Sequence, residues 1–298
     1  MAKARKILKR VKAVKSIRTV TKTMEMVATA RFRKTHQRVA ATRPYVTRLA
    51  QTVSELVSRG MADGAEHPLL KSPSSPKRDV LLVLTSNRGL AGAYNSSVLR
   101  MAMERLRELK ADGNDVLVHA VGRRGINFMK FRKQPAEKTY TQFDRLPSYD
   151  QVRELADALM ARFIAGEISG LEVAYMQFIS SGKQKAAIAK VMPLTDLVAV
   201  AAAEATPKGA VATAYELNPS PEEILARLLP LCVRMKLFQC FLDAAVSEQI
   251  MRIAAMKSAT DSADDMIHDL TVTYNRTRQG QITTELAEIM GGRSGLEE

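Results

Sequence analysis

Two short segments place glycines beside polar side chains, a pattern found in loops that bind phosphate. Residues 87–95 follow an apolar run and precede a helical pattern, which is the position of a dinucleotide-binding loop. The two glycines there are three residues apart, however, and a third is missing. Residues 180–183 contain Gly182 and Lys183 but lack the rest of the Gly-x-x-x-x-Gly-Lys-Ser/Thr loop. We therefore predict a structural turn at both positions.

Metal and acid–base chemistry are also poorly supported. The four histidines are scattered, and the sequence contains no His-x-x-x-His or Cys-x-x-Cys pair that could supply a zinc site. An acidic stretch on a helix is most often a solvated face. One such stretch occurs near the C-terminus and consists of Asp261, Asp264, Asp265 and Asp269. We predict a chain with no catalytic site of its own, no cofactor and no bound metal.

The middle of the chain has the alternation of strands and helices that is typical of a small α/β domain. Four apolar runs predict strands, at residues 80–84, 116–121, 171–179 and 186–192. A helical pattern at 96–111 separates the first two, and this strand–helix–strand order implies a parallel pair. Ser148 and Gln151 form the capping box of another helix. Residues 79–203 are therefore predicted to form a Rossmann-like α/β domain with a sheet of four or five strands.

Long helices are predicted at both ends of the chain. Residues 1–43 and 231–279 contain neither Gly nor Pro, and the first helix is expected to continue to residue 59 after a kink or interruption at Pro44. The α/β domain is too small to cover both helices, so we predict that they pair as an antiparallel coiled coil into which that domain is inserted. The predicted order is N-terminal coiled-coil helix, linker, α/β domain, linker and C-terminal coiled-coil helix, at residues 1–59, 60–78, 79–203, 204–220 and 221–298.

Each long helix carries apolar residues at steps of three and four, the narrow seam of a coiled coil. The first seam is Ile7, Val11, Val14, Ile17, Thr21, Met24 and Ala28. The second is Phe238, Leu242, Ala245, Met256, Ala259, Ala263, Met266 and Leu270. Gln249 and Arg252 interrupt the second seam, and polar residues at such positions often fix the register of a coiled coil.

Positive charge is concentrated at the N-terminus. The chain has a formal net charge of +14, and residues 1–48 contain seven Lys and eight Arg against the single acid Glu25, which accounts for the whole excess. This segment must face an acidic partner, a neutralising partner or solvent. An Arg-rich start that is poor in acids is also typical of a mitochondrial transit peptide.

The cysteines and the hydropathy indicate the compartment. Cys232 and Cys240 are eight residues apart in a helical segment, which places them more than two turns apart at about 3.6 residues per turn and makes a disulfide implausible. A reducing compartment is therefore favoured. The sequence contains no uncharged apolar run of the roughly 18 residues that span a bilayer, so we expect membrane association only through a partner or a surface contact.

Several segments resemble the gamma subunits of F-type ATP synthases, in the order that this family has them. They are residues 21–28 and 43–45 in the first helix, 86–95 in the loop, and 255–261, 274–276, 278–279 and 282–285 in the last helix. The family's loop usually has Asp, Cys and Gly where this chain has Asn87, Ala91 and Ala93. The regulatory cysteine pair of plant chloroplast members has no counterpart here. Because the resemblance starts within the first few residues, it implies that the basic N-terminus belongs to the mature helix, which favours a bacterial source.

The resemblance implies that the chain is a non-catalytic rotor shaft. The family's coiled coil stands inside a ring of alternating alpha and beta subunits, contacts an epsilon subunit, and is turned by a membrane c-ring that is driven by proton flow. That rotation is coupled to ATP synthesis and hydrolysis at the alpha and beta subunits. The implied location is peripheral, at the cytoplasmic face of the bacterial inner membrane.

The resemblance also implies site residues. Polar contacts with a catalytic-subunit loop are expected from Arg278, Gln279, Thr283 and Glu285. Met24 and Arg252 are expected to lie close together near the coupling contacts, although the spacing of Met24 is equally that of an ordinary seam methionine.

Two further groups of residues follow from the resemblance. Ile282, Leu286 and Ile289 are expected to form the apolar tip of the shaft, although their pattern alone predicts a core. Tyr215 and Glu216 are expected to contact the c-ring, and a solvated loop is the alternative for both.

Two other classes of function compete with a rotor. A nucleic-acid-binding coiled coil explains the basic helix but not the C-terminal segments, and residues 1–48 offer only Phe32 and Tyr45 as aromatics for stacking on bases. An autonomous nucleotide-binding α/β enzyme would need the phosphate loop that the sequence lacks.

Overall fold

The computed structural model describes residues 2–58, 67–70, 78–143, 146–194 and 220–294. The helices are α1 (Ala2–Ser58), α2 (Tyr94–Ala111), α3 (Arg123–Phe131), α4 (Tyr149–Ile164) and α5 (Pro221–Ser294), with a short 3-10 helix at Pro68–Leu70. The strands are β1 (Arg78–Leu84), β2 (Asp115–Val121), β3 (Lys138–Tyr140), β4 (Gly170–Ser180) and β5 (Lys183–Met192). Every predicted strand is confirmed.

The strands form one mixed sheet in the order β3-β2-β1-β4-β5. The pairs β1 with β2, β1 with β4, and β2 with β3 are parallel, and β4 with β5 is an antiparallel hairpin. The predicted parallel pair of β1 and β2 is therefore confirmed. Central strand β1 is a continuous apolar run because it is buried on both faces, which is the usual composition of such a strand.

Two apolar cores lie on the two faces of this sheet. One contains α2 residues such as Val98 and Leu106 together with Met129 of α3. The other contains α4 residues such as Leu159 together with parts of α1 and α5, represented by Val53 and Leu237. The sheet is thus a layer between α2 and α3 on one side and α4 with the long helices on the other.

Two elements in this region are not anticipated from the sequence. Strand β3 has three residues and no apolar run. Helix α3 starts directly after Gly122, in a segment whose two glycines are typical of a turn. Helix α4, in contrast, begins as predicted, because Ser148 Oγ accepts a hydrogen bond from the backbone N–H of Gln151 at 3.3 Å.

The chain divides into two compact units. Unit 1 contains the described parts of Met1–Ala30 and Arg252–Glu298, and unit 2 is Arg31–Met251. The long helices contribute to both, and α1 runs without interruption through Pro44. In unit 2 the apolar residues of α1 and α5 join the core of the sheet rather than only facing each other.

Unit 1 is the antiparallel pair of helices. The hydroxyl groups of Thr21 and Thr260 lie 2.8 Å apart in its buried seam, and Arg18 forms an ion pair with Asp264. Val11, Ala28, Met256 and Ala263 are the buried apolar residues of this seam, as predicted.

The prediction that Ile17 and Met266 lie in the seam is wrong. Ile17 is 55% exposed and Met266 is 52% exposed. On α1 the next buried seam residue after the half-buried Val14 is Thr21, and Ile17 between them lies on the exposed side of the helix. On α5 the seam advances by four from Ala263 to the half-buried Ile267, which leaves Met266 outside.

The structure also describes the two cysteines and the apolar character of the helices. Cys232 and Cys240 are both buried and free. Within the described residues, none of the helices combines the length and apolar character needed to cross a membrane.

Candidate functional site

The N-terminal helix presents a basic surface in unit 1. Six cationic side chains on its first four turns are exposed, namely Arg5, Lys6, Lys9, Arg10, Lys12 and Lys15. None of them forms an ion pair with another described residue. Further along the helix, Arg18 pairs with Asp264 and Lys22 with Glu25. These six positive charges of α1 are therefore available to a partner.

An apolar stripe lies beside the seam of α1. Ile17, Val20 and Val27 are exposed, and Met24 is half-buried between them. Their spacing of three, four and three residues places all four side chains along one side of the helix. Unlike the seam, this stripe is not covered by α5, and an exposed apolar stripe on a helix marks an interaction surface.

The end of α5 presents a second apolar surface. Ile282, Leu286, Ile289 and Met290 are 45%, 55%, 70% and 69% exposed. Their spacing places them on one side of the helix. The structure therefore leaves the predicted apolar tip outside the core, whereas the sequence pattern by itself predicts a core.

The predicted polar contact residues lie on the same part of α5. Arg278, Gln279, Thr283 and Glu285 are all exposed. The Thr283 hydroxyl donates to the carbonyl of Gln279 at 3.0 Å, within the helix. These four side chains and the apolar tip together form one amphipathic surface.

Met24 and Arg252 both lie in unit 1. Arg252 is buried, and Met24 is half-buried. The register fixed by Thr21 with Thr260 places Arg252 opposite the region of Thr29. Met24 is then about five residues further along the axis, or roughly 7 Å at ~1.5 Å per residue. Their predicted proximity stays a prediction, as does the coupling role of each residue. Tyr215 and Glu216 lie outside the described residues.

Residues 87–95 form a structural turn, as predicted. Asn95 Oδ1 accepts from the backbone N–H of Ser86 at 3.0 Å, and the hydroxyl of Ser86 donates to the carbonyl of Arg88 at 2.5 Å. Leu90 and Gly92 have positive φ angles of 61° and 54°. The side chains of Ser86 and Asn95 thus bind the backbone of the loop itself. Residues 181 and 182 likewise form the turn of the β4–β5 hairpin.

The acidic stretch and the histidines have structural explanations. The four aspartates at 261–269 are exposed, as predicted. His119 is fully buried with Nε2 2.9 Å from a carboxylate oxygen of Glu137, and burial lowers its pKa despite that partner. His36 packs between the rings of Phe32 and Phe178. Among the described residues, none of the His, Cys, Asp and Glu side chains group in threes that could hold a metal ion.

Comparison with known proteins decides the family. The family model described as ATP synthase matches residues 3–296. The chain is 44% identical to the ATP synthase gamma chain of Rhodopirellula baltica and 37% identical to that of Gemmatimonas aurantiaca, each over 100% of both chains. This chain belongs to the ATP synthase gamma-chain family. The matches give no support to the nucleic-acid-binding alternative.

Solved ATP synthase structures contain chains with the same fold as this chain. A chain in the cryo-EM structure of the Euglena gracilis mitochondrial ATP synthase OSCP/F1/c-ring, rotational state 3, matches with a TM-score of 0.64 at 18% identity, over 99% of this chain and 95% of that one. A chain in the rotor of the same enzyme in rotational state 1 matches with a TM-score of 0.59 at 17% identity, over 94% and 99%.

The departure of this gamma-chain member at Asn87 has a local effect. Asn87 Nδ2 donates to the carbonyl of Thr141 at 2.9 Å, and Asn87 Oδ1 accepts from the backbone N–H of Arg123 at 3.0 Å. An ionised Asp can accept the Arg123 bond but has no N–H to donate to Thr141. Asn87 therefore ties the loop to both the start of α3 and the segment after β3.

Sequence reasoning missed the exposed stripe on α1. Its signal was present, because Ile17, Val20 and Val27 recur at helical spacing beside the seam residues. The predicted seam included Ile17, so it combined residues of the buried side of α1 with residues of its exposed side. Testing both possible helical steps from Val14, three residues to Ile17 and four residues to Arg18, could have distinguished the two sides of the helix.

Proposed function

We propose that this chain is the central rotor shaft of an F-type ATP synthase. It couples rotation of a membrane c-ring, driven by ion flow, to ATP synthesis and hydrolysis at the alpha and beta subunits. The observation that carries this proposal is that unit 1, in a member of the gamma-chain family, leaves its apolar tip and a basic helix exposed. A helix pair with such surfaces is suited to a surrounding protein sleeve.

The asymmetry of unit 1 supports a torque mechanism. Torque is the change of interaction energy with angle, so a shaft whose faces differ can favour a different state at each surrounding catalytic site. Six exposed cations lie on the first four turns of α1, whereas α5 exposes the aspartates Asp261, Asp265 and Asp269 as well as cations such as Arg278. We infer that the three catalytic sites meet different charges at any rotational position.

The site residues fit into this proposal by position. Arg278, Gln279, Thr283 and Glu285 contact a catalytic-subunit loop, and Ile282, Leu286 and Ile289 turn in an apolar sleeve. Met24 and Arg252 act near the coupling contacts. Tyr215 and Glu216 contact the c-ring, within the predicted linker 204–220.

The assembly and location follow from the same proposal. The partners are the alpha, beta and epsilon subunits and the c-ring, and the complex is attached to the cytoplasmic face of a bacterial inner membrane. The chain itself is non-catalytic. Co-expression with alpha and beta subunits should therefore yield a stable complex that hydrolyses ATP, while the chain alone hydrolyses little. Tight, salt-sensitive binding of the chain to DNA or RNA with no such complex would refute the proposal.

A double substitution tests the polar contacts. Arg278→Ala with Gln279→Ala should lower ATP turnover of the reconstituted complex several-fold, because it removes the longest polar side chains from the tip surface. The matched control is Ser262→Ala with His268→Ala, an exposed polar pair on α5 to which the proposal gives no role and which should retain turnover. Turnover that is unchanged in the first variant would remove Arg278 and Gln279 from the site. Circular dichroism should show that both variants are folded.

A further inference from the structure

A trough of about 500 Å³ lies between α2 and α3 in unit 2, and none of its lining residues belongs to the proposed shaft surfaces. Leu99, Met103 and Phe128 form its apolar floor, where Leu99 is buried and the other two are half-buried. Four arginines line it: Arg100 and Arg107 from α2, Arg124 from α3, and Arg132 directly after the end of α3. All four are exposed, so the trough has an apolar base between charged rims.

These arginines lack the acidic neighbours that other arginines of unit 2 have. Arg105, on the same helix, donates to both carboxylate oxygens of Glu172 at 2.7 Å. Arg234 likewise donates to Asp157 at 2.6 Å. In the part of the chain that the structure describes, the four trough arginines form no ion pair, and no Asp or Glu lines the trough. The side chains that line the trough therefore carry four positive charges and no negative charge.

Two of these arginines are held in place by neighbouring groups. The guanidinium of Arg132 lies 6.0 Å from the centre of the Phe128 ring, a cation–π distance. The guanidinium of Arg124 lies against Gly89, where any side chain would collide with it. Side chains that are already positioned lose less entropy when a partner binds.

The spacing of the arginines indicates the size of the occupant. Arg100 and Arg107 are seven residues apart and Arg124 and Arg132 eight, which corresponds to about 10–12 Å along each helix at ~1.5 Å per residue. A single small anion cannot bridge such distances, and one exposed arginine in water contributes only ~1 kcal/mol or less to an ion pair. A helix with carboxylates two turns apart can pair with the arginines of the rims, and apolar residues between those carboxylates can cover the apolar floor.

We propose that the trough between α2 and α3 binds an acidic amphipathic helix of a partner protein within the assembled ATP synthase. The apolar face of that helix covers Met103 and Phe128, and its carboxylates pair with the four arginines. Arginine around an aromatic centre is a typical composition of a protein–protein interface. This inference rests on the proposed function, because the partner is a component of the same complex.

Photo-cross-linking in the assembled complex tests the proposal. The cross-linking amino acid p-benzoylphenylalanine is placed at Ser96, an exposed residue at the edge of the trough, so that the floor is unchanged. After irradiation, mass spectrometry should identify a cross-linked helical segment of another subunit with net negative charge. Its yield should fall at least tenfold when Arg100→Glu is combined with Arg132→Glu, because both rims are then repulsive.

A matched control separates the trough from general surface charge. Arg153→Glu reverses an exposed arginine on α4, on the other face of the sheet, and should leave the cross-link unchanged. A cross-link to lipid or to a neutral or basic segment would overturn the proposal, as would a yield that survives the double charge reversal. A complex that assembles and gives no cross-link overturns this inference alone. A chain that does not assemble with alpha and beta subunits overturns the proposed function as well.

Discussion

Asp243 is a buried carboxylate whose replacement should stabilise the protein at neutral pH. It lies on α5 in unit 2 and is 3% exposed. Gln239 Nε2 donates to Asp243 Oδ1 at 2.7 Å. Burial raises the pKa of Asp243 to about 6 from 3.8, although Arg43 and hydrogen bonds from Gln239 and the backbone of Phe178 favour the charged form. At pH 7 the carboxylate is therefore ionised, and its ionisation lowers the free energy of unfolding.

The cost follows from the difference between the folded and unfolded pKa. Between about pH 4 and 6 the folded chain retains a proton that the unfolded chain has released, so stability falls as the pH rises through that range. Each tenfold change in proton affinity is worth about 1.4 kcal/mol, so ionised Asp243 costs ~3 kcal/mol at pH 7. Below about pH 4 both states are protonated and the cost vanishes.

The substitution Asp243→Asn removes this cost while keeping the shape of the side chain. The introduced amide oxygen can still accept from Gln239, and its N–H can donate to Gln239 Oε1, a buried oxygen that has no hydrogen-bond partner in the described structure. We expect a gain of about 1–3 kcal/mol at pH 7.5 and no gain at pH 4. For a unit of this size, that gain corresponds to a rise in melting temperature of roughly 3–10 °C.

Thermal unfolding followed by circular dichroism at pH 4, 5, 6 and 7.5 measures the effect. The quantity to compare is the difference in melting temperature between variant and wild type at each pH. Other carboxylates titrate in the same range, but they do so in both proteins and their effects cancel in that difference. Asp150→Asn, at an exposed carboxylate on α4, is the matched control and should leave the difference near zero at every pH. A variant that is no more stable than wild type at pH 7.5, or whose gain does not change with pH, would refute the reasoning.

Two further predictions concern close contacts in each unit. Gly122 has a φ of 88°, and a methyl group there would collide with the carbonyl of Thr85, so Gly122→Ala should cost ~3 kcal/mol in urea unfolding. Gly113→Ala, at a similar φ of 80° with open space around it, should cost only about 1 kcal/mol, and equal losses would contradict the role of the collision. In unit 1, Thr21→Val should lower hydrogen-exchange protection of the flanking amides by about 1 kcal/mol, because it deprives Thr260 of its buried partner. Adding Thr260→Val to Thr21→Val should lower the protection by less than Thr260→Val does alone. If the two losses simply add, the two hydroxyls are not coupled.

The parts of the fold that follow from the sequence are those with a strong periodic signal. Residues 80–84 of strand β1 are a continuous apolar run, and Ser148 with Gln151 is a complete start signal for α4. Helix α3 has no comparable signal, because Gly122 and Gly125 at its start are typical of a turn. Both glycines are required by a tertiary contact, since a side chain at either position would collide with Thr85. That contact is not visible in the sequence.

The candidate site also has parts that the sequence predicts and parts that it does not. Ile282, Leu286 and Ile289 have the spacing of a core stripe, and only the absence of a covering element within the described structure shows that they face outwards. Spacing gives the side of a helix on which a residue lies, but not whether another element covers that side. The resemblance to the gamma-subunit family supplied the missing information. The arginine trough could not be predicted because it depends on α3.

The charge distribution of unit 1 bears on how a shaft of two helices can transmit torque. Cations on α1 and aspartates on α5 are exposed, so the electrostatic energy of a surrounding carboxylate varies with the angle of the shaft. Two charges ~4 Å apart interact by about 4 kcal/mol near a protein surface, and this energy falls with salt and distance. The apolar tip has little such angular dependence, because apolar contact is non-directional. In the proposed rotor, smooth rotation at the tip and angular preference along α1 are therefore properties of different residues. An increase in salt should weaken the angular preference while sparing the apolar contact of the tip.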